Sequence, residues 1–314
     1  MHGKVVTVFG GSGFLGRHLV GRLAEKGATI RVPTRDPNRA VHLKPLGEVG
    51  QIVLEPFAGT ADEERLAPYL DGADLAVNLI GILAERRVGD FARVHRDLAR
   101  AIAAASRAHG LSRLIQVSAI GADAASPSLY AQTKAAGEKA VRETFPGATV
   151  LRPSIVFGPE DRFFNRFARI AQLSPVVPVI SPKTRFQPVY VGDVAAAIVT
   201  ALEAEDAPGE TFELGGPRIY TFEQLLRYML KVLRRRRLLI ELPLGIARLQ
   251  ARFFELLPDP PLTRDQILLL QRDNVVAEGA RGLADLGIEP TPLEVVVPRY
   301  LAAYARGDLR VPAA

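Results

Sequence analysis

The amino-acid sequence predicts an α/β fold in which a doubly wound parallel sheet is joined to a smaller, mostly helical C-terminal lobe. Short apolar segments alternate with helical patterns through the first half of the chain, as expected when helices cover both faces of a parallel sheet. A glycine cluster follows the first strand pattern, and 48% hydrophobic with 24% charged residues suits a well-buried core. We expect a sheet domain over residues 1–157 and a lobe over residues 158–314 that is interwoven with the sheet.

The first strand pattern, Val5–Phe9, leads directly into a glycine-rich turn and then an apolar helical pattern. The glycines read as Gly-x-x-Gly-x-x-Gly and also as Gly-x-Gly-x-x-Gly. Such a turn lets the backbone approach a dinucleotide pyrophosphate closely, and the amides of the helix N-terminus face the anion. This context predicts a Rossmann-type cofactor site formed by Gly10, Gly11, Ser12, Gly13, Phe14, Leu15 and Gly16.

A second strand, predicted at residues 28–33, ends in Thr34-Arg35-Asp36. At this point proteins that prefer NAD usually carry an acid that holds the ribose 2′-hydroxyl. The guanidinium of Arg35 suits a 2′-phosphate instead, which predicts NADP(H) as the cofactor. The alternative is that Arg35 is a surface arginine and that Asp36 contacts the ribose.

Further strands are predicted at residues 51–54 and 74–83, with a short helix at residues 60–70 between them. The strand at 74–83 is almost continuously apolar, as in a strand buried on both faces. Asn78 and Gly81 lie near its carboxyl end, which is the edge of a parallel sheet where ligands bind. Both are therefore candidates for cofactor contact.

The next unit consists of a helix at residues 91–109, a strand at 114–118 and a helix at 129–145. The first helix carries an apolar face, and its His95 is interpreted as a residue that packs between helix and sheet.

Three polar residues of this unit form a candidate catalytic group. Ser118 ends the strand, while Tyr130 and Lys134 lie one turn apart on the same face of the following helix. A lysine near a phenol lowers the phenol pKa because it favours phenolate, and a serine hydroxyl can hold a carbonyl oxygen. We expect a proton donor beside a nicotinamide, although contacts of Tyr130 and Lys134 with the ribose would explain both residues without catalysis.

The glycine turn, Ser118 and the Tyr130-x-x-x-Lys134 pair resemble the short-chain dehydrogenase/reductase superfamily in its extended or atypical branch. The resemblance implies that the tyrosine is the acid/base, that the lysine holds the ribose and tunes the tyrosine, and that the serine orients the substrate. It also implies that the loop beginning Arg152-Pro153-Ser154 passes the nicotinamide, which makes Pro153 and Ser154 candidate cofactor contacts.

Two later segments narrow the resemblance. Residues 160–167 read Glu-Asp-Arg-Phe-Phe-Asn-Arg-Phe, and residues 186–194 read Phe-Gln-Pro-Val-Tyr-Val-Gly-Asp-Val. With residues 260–263 and 273–276, they resemble the NADPH-binding accessory subunits of respiratory complex I and their bacterial homologues. That resemblance implies an NADPH-binding, non-catalytic subunit that stabilises the junction near the quinone site. It implies a cytoplasmic chain, peripheral on the inner face of the energy-transducing membrane.

The remaining elements are predicted from capping residues and apolar periodicity. Asp193 is expected to cap a helix at residues 194–202, and Thr221 to cap another. The other predicted elements are strands at residues 188–191 and 211–214, and helices at 263–271, 279–286 and 292–305.

Positive charge is concentrated late in the chain. The net charge is +6, and residues 221–257 carry eight basic and three acidic residues, including the run Arg234–Arg237. Residues 238–257 follow, interrupted by Pro243, with apolar residues on one side. This basic amphipathic pattern predicts docking on a complex I-like assembly or on anionic lipid, rather than nucleic-acid binding. The alternative is a solvated charge run beside an ordinary helix whose apolar face packs on the core.

Composition excludes several classes of protein and site. Without cysteine, the chain has no disulfide, thiolate zinc site or cysteine nucleophile, and its five scattered histidines predict no metal site. Because the first strand pattern begins at about Val5, we expect no signal or transit peptide. No apolar run approaches the roughly 20 residues of a membrane span.

Three functions remain open from the sequence. The first is the non-catalytic accessory subunit. The second is an active NADPH-dependent short-chain reductase or epimerase acting on a small molecule or nucleotide sugar. The third is a regulatory protein that senses the redox state of the nucleotide.

Overall fold

A computed structural model describes residues 1–257 and 260–305 of the chain. Its main feature is a sheet of seven parallel strands in the order β11-β6-β5-β4-β1-β2-β3. The order reverses at β1, and in such sheets ligands bind outside the carboxyl ends of the strands at that reversal. The strands are β1 (Val5–Phe9), β2 (Thr29–Thr34), β3 (Ile52–Pro56), β4 (Leu75–Asn78), β5 (Arg113–Val117), β6 (Thr149–Pro153) and β11 (Thr211–Leu214).

The helices follow the strands in the alternation that the sequence predicts, so the doubly wound α/β fold is confirmed. A π-helical turn, Arg93–Asp97, joins α3 to α4, and the short 3-10 segments are Asn38–Leu46, Ala284–Leu286 and Ala302–Tyr304. The α-helices are α1 (Phe14–Glu25), α2 (Glu63–Leu70), α3 (Asp90–Ala92), α4 (Leu98–Ala108), α5 (Leu129–Thr144), α6 (Phe164–Leu173), α7 (Val191–Glu203), α8 (Phe222–Val232), α9 (Leu244–Phe254), α10 (Arg264–Leu269) and α11 (Leu293–Leu301).

The chain forms two compact units, each assembled from three segments. The first contains residues 1–153, 192–214 and 279–288; the second contains 154–191, 215–278 and the chain from residue 289. The sequence places the division after residue 157, so residues 154–157 fall on the other side of it. Residues 306–314 of the expected lobe lie outside the described residues.

The first unit contains the seven-stranded sheet and a core on both of its faces. All four residues of β4 are buried, as the apolar pattern predicts. The edge strand β11 is covered by the late segment 279–288, because the Glu213 amide donates to the Arg281 carbonyl at 2.8 Å. The Arg281 guanidinium also lies 4.5 Å from the centre of the Phe212 ring. This cover protects an edge that would otherwise offer unpaired backbone groups.

The second unit is mostly helical, as predicted, and its strands occur as two-stranded pairs. Its core includes the apolar face of α8, where Leu225, Leu226 and Met229 are fully buried. Thr221 caps α8 as expected, in a capping box with Gln224. The paired strands are β7 (Val156–Phe157) with β10 (Val189–Tyr190), β8 (Val176–Val179) with β13 (Leu238–Glu241), and β9 (Arg185–Phe186) with β12 (Tyr220–Thr221).

The prediction of a strand over residues 74–83 was too long. β4 ends at Asn78, whose side-chain oxygen accepts the Ile80 amide at 3.0 Å. This local hydrogen bond turns the chain out of the sheet, as asparagine side chains often do. Residues 79–82 therefore leave the carboxyl end of β4 as a loop.

Three predictions in the later part of the chain were also wrong. The helix expected at residues 279–286 is only the short 3-10 segment at 284–286, because Gly279 has φ +75° and the backbone of Arg281 pairs with β11. Asp193 is not an N-cap, since α7 already begins at Val191 and places it in the first turn. Part of the amphipathic stretch after Arg237 forms strand β13 before α9 begins.

Candidate functional site

The glycine turn between β1 and α1 has no room for side chains at two of its positions. A Cβ at Gly16 would overlap the carbonyl oxygens of Gly10 and Gly11, and one at Gly11 would lie 2.9 Å from Val32 Cγ1. Gly10 has φ +82°, which favours glycine. At the carboxyl end of β1 the turn therefore packs backbone directly against backbone. Because its glycines have no side chains, the turn can present backbone peptide groups to a ligand.

The N-terminus of α1 lacks the groups that usually satisfy a helix start. Its N-cap is Gly13, no side chain accepts from the first-turn amides, and the first turn contains no acid. By contrast, Ser128 caps α5 and Thr263 caps α10. Uncapped amides and the positive end of the helix dipole suit an anion such as a pyrophosphate. Half-buried Phe14 and Leu15 form the start of this helix.

The end of β2 separates the two candidates for ribose contact. The carboxylate of Asp36 accepts hydrogen bonds from the amides of Asn38 and Arg39 at 3.0 and 3.3 Å. It is therefore occupied at the start of the 3-10 segment Asn38–Leu46. Arg35 is exposed and, among the described residues, forms no ion pair. Thr34 is buried beside the glycine turn, with its hydroxyl 3.2 Å from that of Ser12. This arrangement favours Arg35 over Asp36 as the group available to a ligand.

Asn78 and Gly81 occupy different positions relative to the site. Both halves of the Asn78 amide are used, since Nδ2 donates to Gln116 at 2.9 Å and Oδ1 accepts from Ile80. Asn78 is fully buried and shapes the turn after β4. A Cβ at exposed Gly81 would lie 3.2 Å from Lys134 Nζ, so the loop passes closely over that lysine.

Ser118 and Lys134 converge at the carboxyl end of β5. The Lys134 ammonium is 3.5 Å from the Val117 carbonyl and 5.8 Å from the centre of the Tyr130 ring. Ser118 is buried, and its hydroxyl has no hydrogen-bond partner within the described residues. A buried hydroxyl without a partner is costly, so it indicates a position at which a ligand group supplies the missing hydrogen bond.

Burial lowers the pKa of the Lys134 ammonium to about 8, although the negative charge of Glu138 opposes this shift. Glu138 is in turn held by Arg152, with Oε2 2.6 Å from the guanidinium, which also lies 3.4 Å from Glu213. The lysine is therefore largely charged at neutral pH but poorly solvated. A ligand hydroxyl or phosphate beside it would restore part of its lost solvation.

Pro153 and Ser154 are divided between the two units. The Pro153 carbonyl accepts the Ile120 amide at 3.1 Å, in the first unit. The Ser154 hydroxyl lies in the second unit and donates to the Asn274 side chain at 2.6 Å. Each residue is thus engaged within its own unit.

His95 is a polar connection that the sequence interpretation missed. It is buried as predicted, but both ring nitrogens are hydrogen-bonded, to the Ile82 amide and to the Thr133 hydroxyl. A histidine inside an alanine-rich helix was the available signal, but its partners lie far away in the sequence.

The second unit carries a contrasting surface. Arg227, Lys231 and the run Arg234–Arg237 contribute to the lining of a depression of about 480 Å³. Helix α9 packs through Ala247 and Ala251 and leaves its large apolar side chains exposed. We call this the basic-apolar surface, defined as Arg234, Arg235, Arg236, Arg237, Ile246, Leu249, Phe253, Leu256 and Leu257.

The exposed stripe of α9 tests one of the two interpretations of this segment, namely that its apolar face packs on the core. Ile246, Leu249 and Phe253 are 50%, 58% and 64% exposed and recur at helical spacing. The alternative of an apolar face packed on the core is therefore wrong. Large apolar side chains exposed along one helix face are typical of an interaction surface. None of the helices in residues 1–257 and 260–305 is long and apolar enough to cross a bilayer.

Comparison with known proteins identifies relatives over most of the chain. The NAD dependent epimerase/dehydratase family model matches residues 6–215. The mitochondrial NADH dehydrogenase (ubiquinone) 1 alpha subcomplex subunit 9 of Mus musculus is 38% identical over 93% of this chain and 78% of its own. A ceramide reductase of Caulobacter vibrioides is 39% identical over 62% of this chain and 60% of its own.

Among solved structures, an epimerase from Methanothermobacter thermautotrophicus superposes with a TM-score of 0.75. The match covers 96% of this chain and 93% of that one, at 18% identity. It shows the shared fold.

Proposed function

The chain belongs to the NAD dependent epimerase/dehydratase family, and we propose that it is an NADPH-binding, non-catalytic accessory subunit of a complex I-type NADH:quinone oxidoreductase. The observation that carries the proposal is 38% identity over 93% of the chain to a mouse protein named as a subunit of NADH dehydrogenase. In this role the chain stabilises the junction near the quinone site and is peripheral on the inner, cytoplasmic face of the membrane.

The residues of the first unit fit a nicotinamide dinucleotide. The bare peptide of the glycine turn and the uncapped N-terminus of α1 suit the pyrophosphate, and Arg35 suits a 2′-phosphate. Tyr130 and Lys134 would hold the ribose. The nicotinamide, when bound, supplies hydride chemistry. Asn78 shapes the loop beside this half of the site, and Gly81 and Pro153 are proposed to line it. A cofactor contact of Ser154 stays a prediction.

A second candidate function is an active NADPH-dependent reductase. It is favoured by the relationship to a protein named as a ceramide reductase and by the complete set of Ser118, Tyr130 and Lys134. In that case Tyr130 would donate the proton, Lys134 would favour its phenolate form, and the unpartnered Ser118 hydroxyl would hold the substrate carbonyl. The shorter coverage of that relative makes this the weaker candidate. An epimerase has only the support of the shared family and fold.

For the basic-apolar surface we propose anionic lipid beside the assembly as the occupant. Exposed large side chains on α9 need an apolar environment, and the clustered arginines of the same unit need negative charge. The interface of an anionic bilayer supplies both at the same depth. An acidic protein surface would satisfy the arginines but leave the apolar stripe in water.

The accessory role is tested by native separation of membranes in mild detergent. We expect the chain to migrate with an NADH:quinone-reducing assembly and the band to contain NADP(H). Recovery of a free homodimer that oxidises NADPH with a small carbonyl compound would instead support the reductase and contradict the accessory role. Ceramides and small carbonyl compounds are the substrates to try first.

The lipid contact is tested by flotation with vesicles of neutral phosphatidylcholine and with vesicles containing phosphatidylglycerol. Replacing Arg234–Arg237 by glutamine should lower affinity for the anionic vesicles at least about thirtyfold, since the exposed Arg234 and Arg236 each contribute roughly 1 kcal/mol near such a surface. Arg235 and Arg237 are partly buried and donate to the carbonyls of Tyr304 and Ala171. NADPH affinity should not change. A matched control replaces four arginines of the first unit, Arg65, Arg93, Arg96 and Arg100, which are more than half exposed. Equal loss in both variants would contradict a specific lipid surface.

A further inference from the structure

The π-helical turn Arg93–Asp97 is the least regular part of the helix that precedes β5. Such turns are rare and often occur at functional sites because they displace one residue from the regular spiral. Here the turn brings the His95 carbonyl against α5 at Gly137, where a Cβ would overlap that oxygen. Two helices of the first unit are therefore in backbone contact one turn from Lys134.

The His95 side chain links two elements of the candidate cofactor site. Its Nε2 accepts the Ile82 amide at 3.1 Å, and its Nδ1 lies 3.0 Å from the Thr133 hydroxyl. Thr133 in turn donates to the Leu129 carbonyl at 2.8 Å. All three hydrogen bonds are satisfied together only when the ring is neutral and carries its proton on Nδ1.

Aromatic contacts fix the plane of this ring. The Phe91 ring stacks on it at 5.3 Å with an interplanar angle of 23°, and the Tyr130 ring meets it edge-on at 5.3 Å. The Tyr130 ring is thus in direct contact with the His95 imidazole. The position of the phenol depends on the position of His95.

The environment keeps His95 neutral. Burial and the positive charge of Lys134 lower its pKa to about 3. Tyr130 and Lys134 are the titratable groups that face it from α5. On its own helix, Arg96 pairs with Asp97 and Arg93 with Asp90.

We propose that His95 is a positioning residue of the dinucleotide site, a strut that sets the separation between the loop after β4 and the first turn of α5. The proposal rests on the proposed function that this chain binds NADP(H). The strut joins Ile82 to Thr133, so it fixes Gly81 over Lys134 and holds Tyr130 at the end of the site expected to receive the nicotinamide ribose. Any buried imidazole needs hydrogen-bond partners, so the indication of a positioning role is that the two partners belong to the loop after β4 and to α5.

The test separates the two halves of the ligand. NADPH spans the whole site, whereas adenosine 2′,5′-bisphosphate reaches only the glycine turn and Arg35. His95→Phe keeps an aromatic ring in the stack, although the ring is larger, and removes both hydrogen bonds. His95→Gln restores an acceptor for the Ile82 amide, and Thr133→Val removes the other partner with little change of shape. His109→Phe, at an exposed helix end, is the matched control.

We expect His95→Phe to weaken NADPH binding about tenfold and to leave adenosine 2′,5′-bisphosphate affinity within about twofold. Thr133→Val should act in the same direction, His95→Gln should recover most of the loss, and His109→Phe should behave as wild type. In wild type, imidazole ¹⁵N shifts should report the neutral Nδ1–H form, and amide exchange at Ile82 should accelerate in His95→Phe.

Unchanged NADPH affinity in both His95→Phe and Thr133→Val would overturn the strut. Equal loss of both ligands in those variants would also overturn it, because the effect would then be a general loss of structure. A wild-type chain that binds neither NADPH nor NADH overturns the proposed function itself, and the strut with it. The wild-type titration therefore reports on the function, and the ratio between variants reports on His95.

Discussion

The glycine turn of the first unit and the basic-apolar surface of the second differ in what surrounds their side chains. At the turn the backbone is so close-packed that a Cβ at Gly16 has no room. On α9 the large side chains lie in solvent, and only Ala247 and Ala251 are buried. The first region is proposed to receive a ligand, while the α9 stripe of the second is uncovered within the described residues. Mutations should therefore be able to remove nucleotide binding by the first unit without removing lipid binding by the second, and the reverse.

A substitution in the glycine turn should have the largest effect on nucleotide binding without changing vesicle binding. Gly16→Ala should reduce NADPH affinity by roughly a thousandfold, about 4 kcal/mol, because the new Cβ forces the turn and the α1 amides apart. Calorimetric titration measures the loss, and vesicle flotation should be unchanged. Gly21→Ala is the matched control, since nothing lies within 4 Å of a Cβ there and alanine favours a helix. Comparable NADPH affinity in the two variants would contradict the close fit of the turn.

The next prediction compares α8 with α9, two helices that follow one another in the chain and are both amphipathic in sequence. Leu226→Ala should lower the free energy of unfolding by about 2–5 kcal/mol, because Leu226 is fully buried. Phe253→Ala should change it by no more than about 0.5 kcal/mol and should instead weaken vesicle binding. Urea denaturation gives both values. A destabilisation by Phe253→Ala as large as that of Leu226→Ala would place the α9 stripe in a core.

Lys134 connects stability with nucleotide binding. Its folded-state pKa of about 8 lies below the unfolded value of 10.5, so below pH 8 the folded chain bears the cost of a buried ammonium. Lys134→Met should therefore stabilise the chain at pH 7 by roughly 1–3 kcal/mol while weakening NADPH binding. As pH rises from 8 to 10.5, wild type binds fewer protons when folded than when unfolded and gains stability.

The stability gap between Lys134→Met and wild type should accordingly shrink as pH rises from 8 to 10.5. Denaturation curves at pH 7, 8, 9 and 10 measure it. Lys139→Met, at an exposed position of the same helix, is the control for removal of a lysine charge. A gap that stays constant across this range would mean that Lys134 is solvated in the folded state.

The smallest effect concerns the choice between the two nicotinamide cofactors. Arg35→Ser should lower the ratio of NADPH to NADH affinity by about ten- to thirtyfold, since a charged hydrogen bond from this exposed arginine to phosphate contributes roughly 1.5–2 kcal/mol. Affinity for NADH should stay nearly constant. Calorimetry with both nucleotides tests this, with Arg65→Ser as control. A wild-type chain that binds NADH more tightly than NADPH would refute the role of Arg35.

Local sequence patterns were sufficient for the sheet and the glycine turn. A buried parallel strand and a glycine turn have direct chemical signatures, and so do caps such as Thr221. The candidate group of Ser118, Tyr130 and Lys134 was predicted from the sequence, and the structure places the Lys134 ammonium near the Tyr130 ring and the Val117 carbonyl. Whether these residues contact a cofactor remains a prediction.

Long-range contacts were beyond the sequence. The partners of His95 are Ile82 and Thr133, and no local rule brings these residues together. The π-helical turn also has no compositional signature. For α9, periodicity showed that one side is apolar but not whether that side faces the core or the solvent. The helix packs on the rest of its unit through only two buried alanines, Ala247 and Ala251. Amphipathicity identifies a face, and only the packing shows what the face meets.

The seventh strand of the sheet has a consequence for the growing polypeptide. β11 pairs with β6 in the register Thr211 with Val150, so some sixty residues must leave the ribosome before the edge of β6 is covered. Until then the nascent sheet presents an open parallel edge, a template for pairing with other chains. A fragment ending near residue 157 would keep that edge permanently. We expect it to aggregate, and the nucleotide-binding half to require residues 192–214 and 279–288 for solubility.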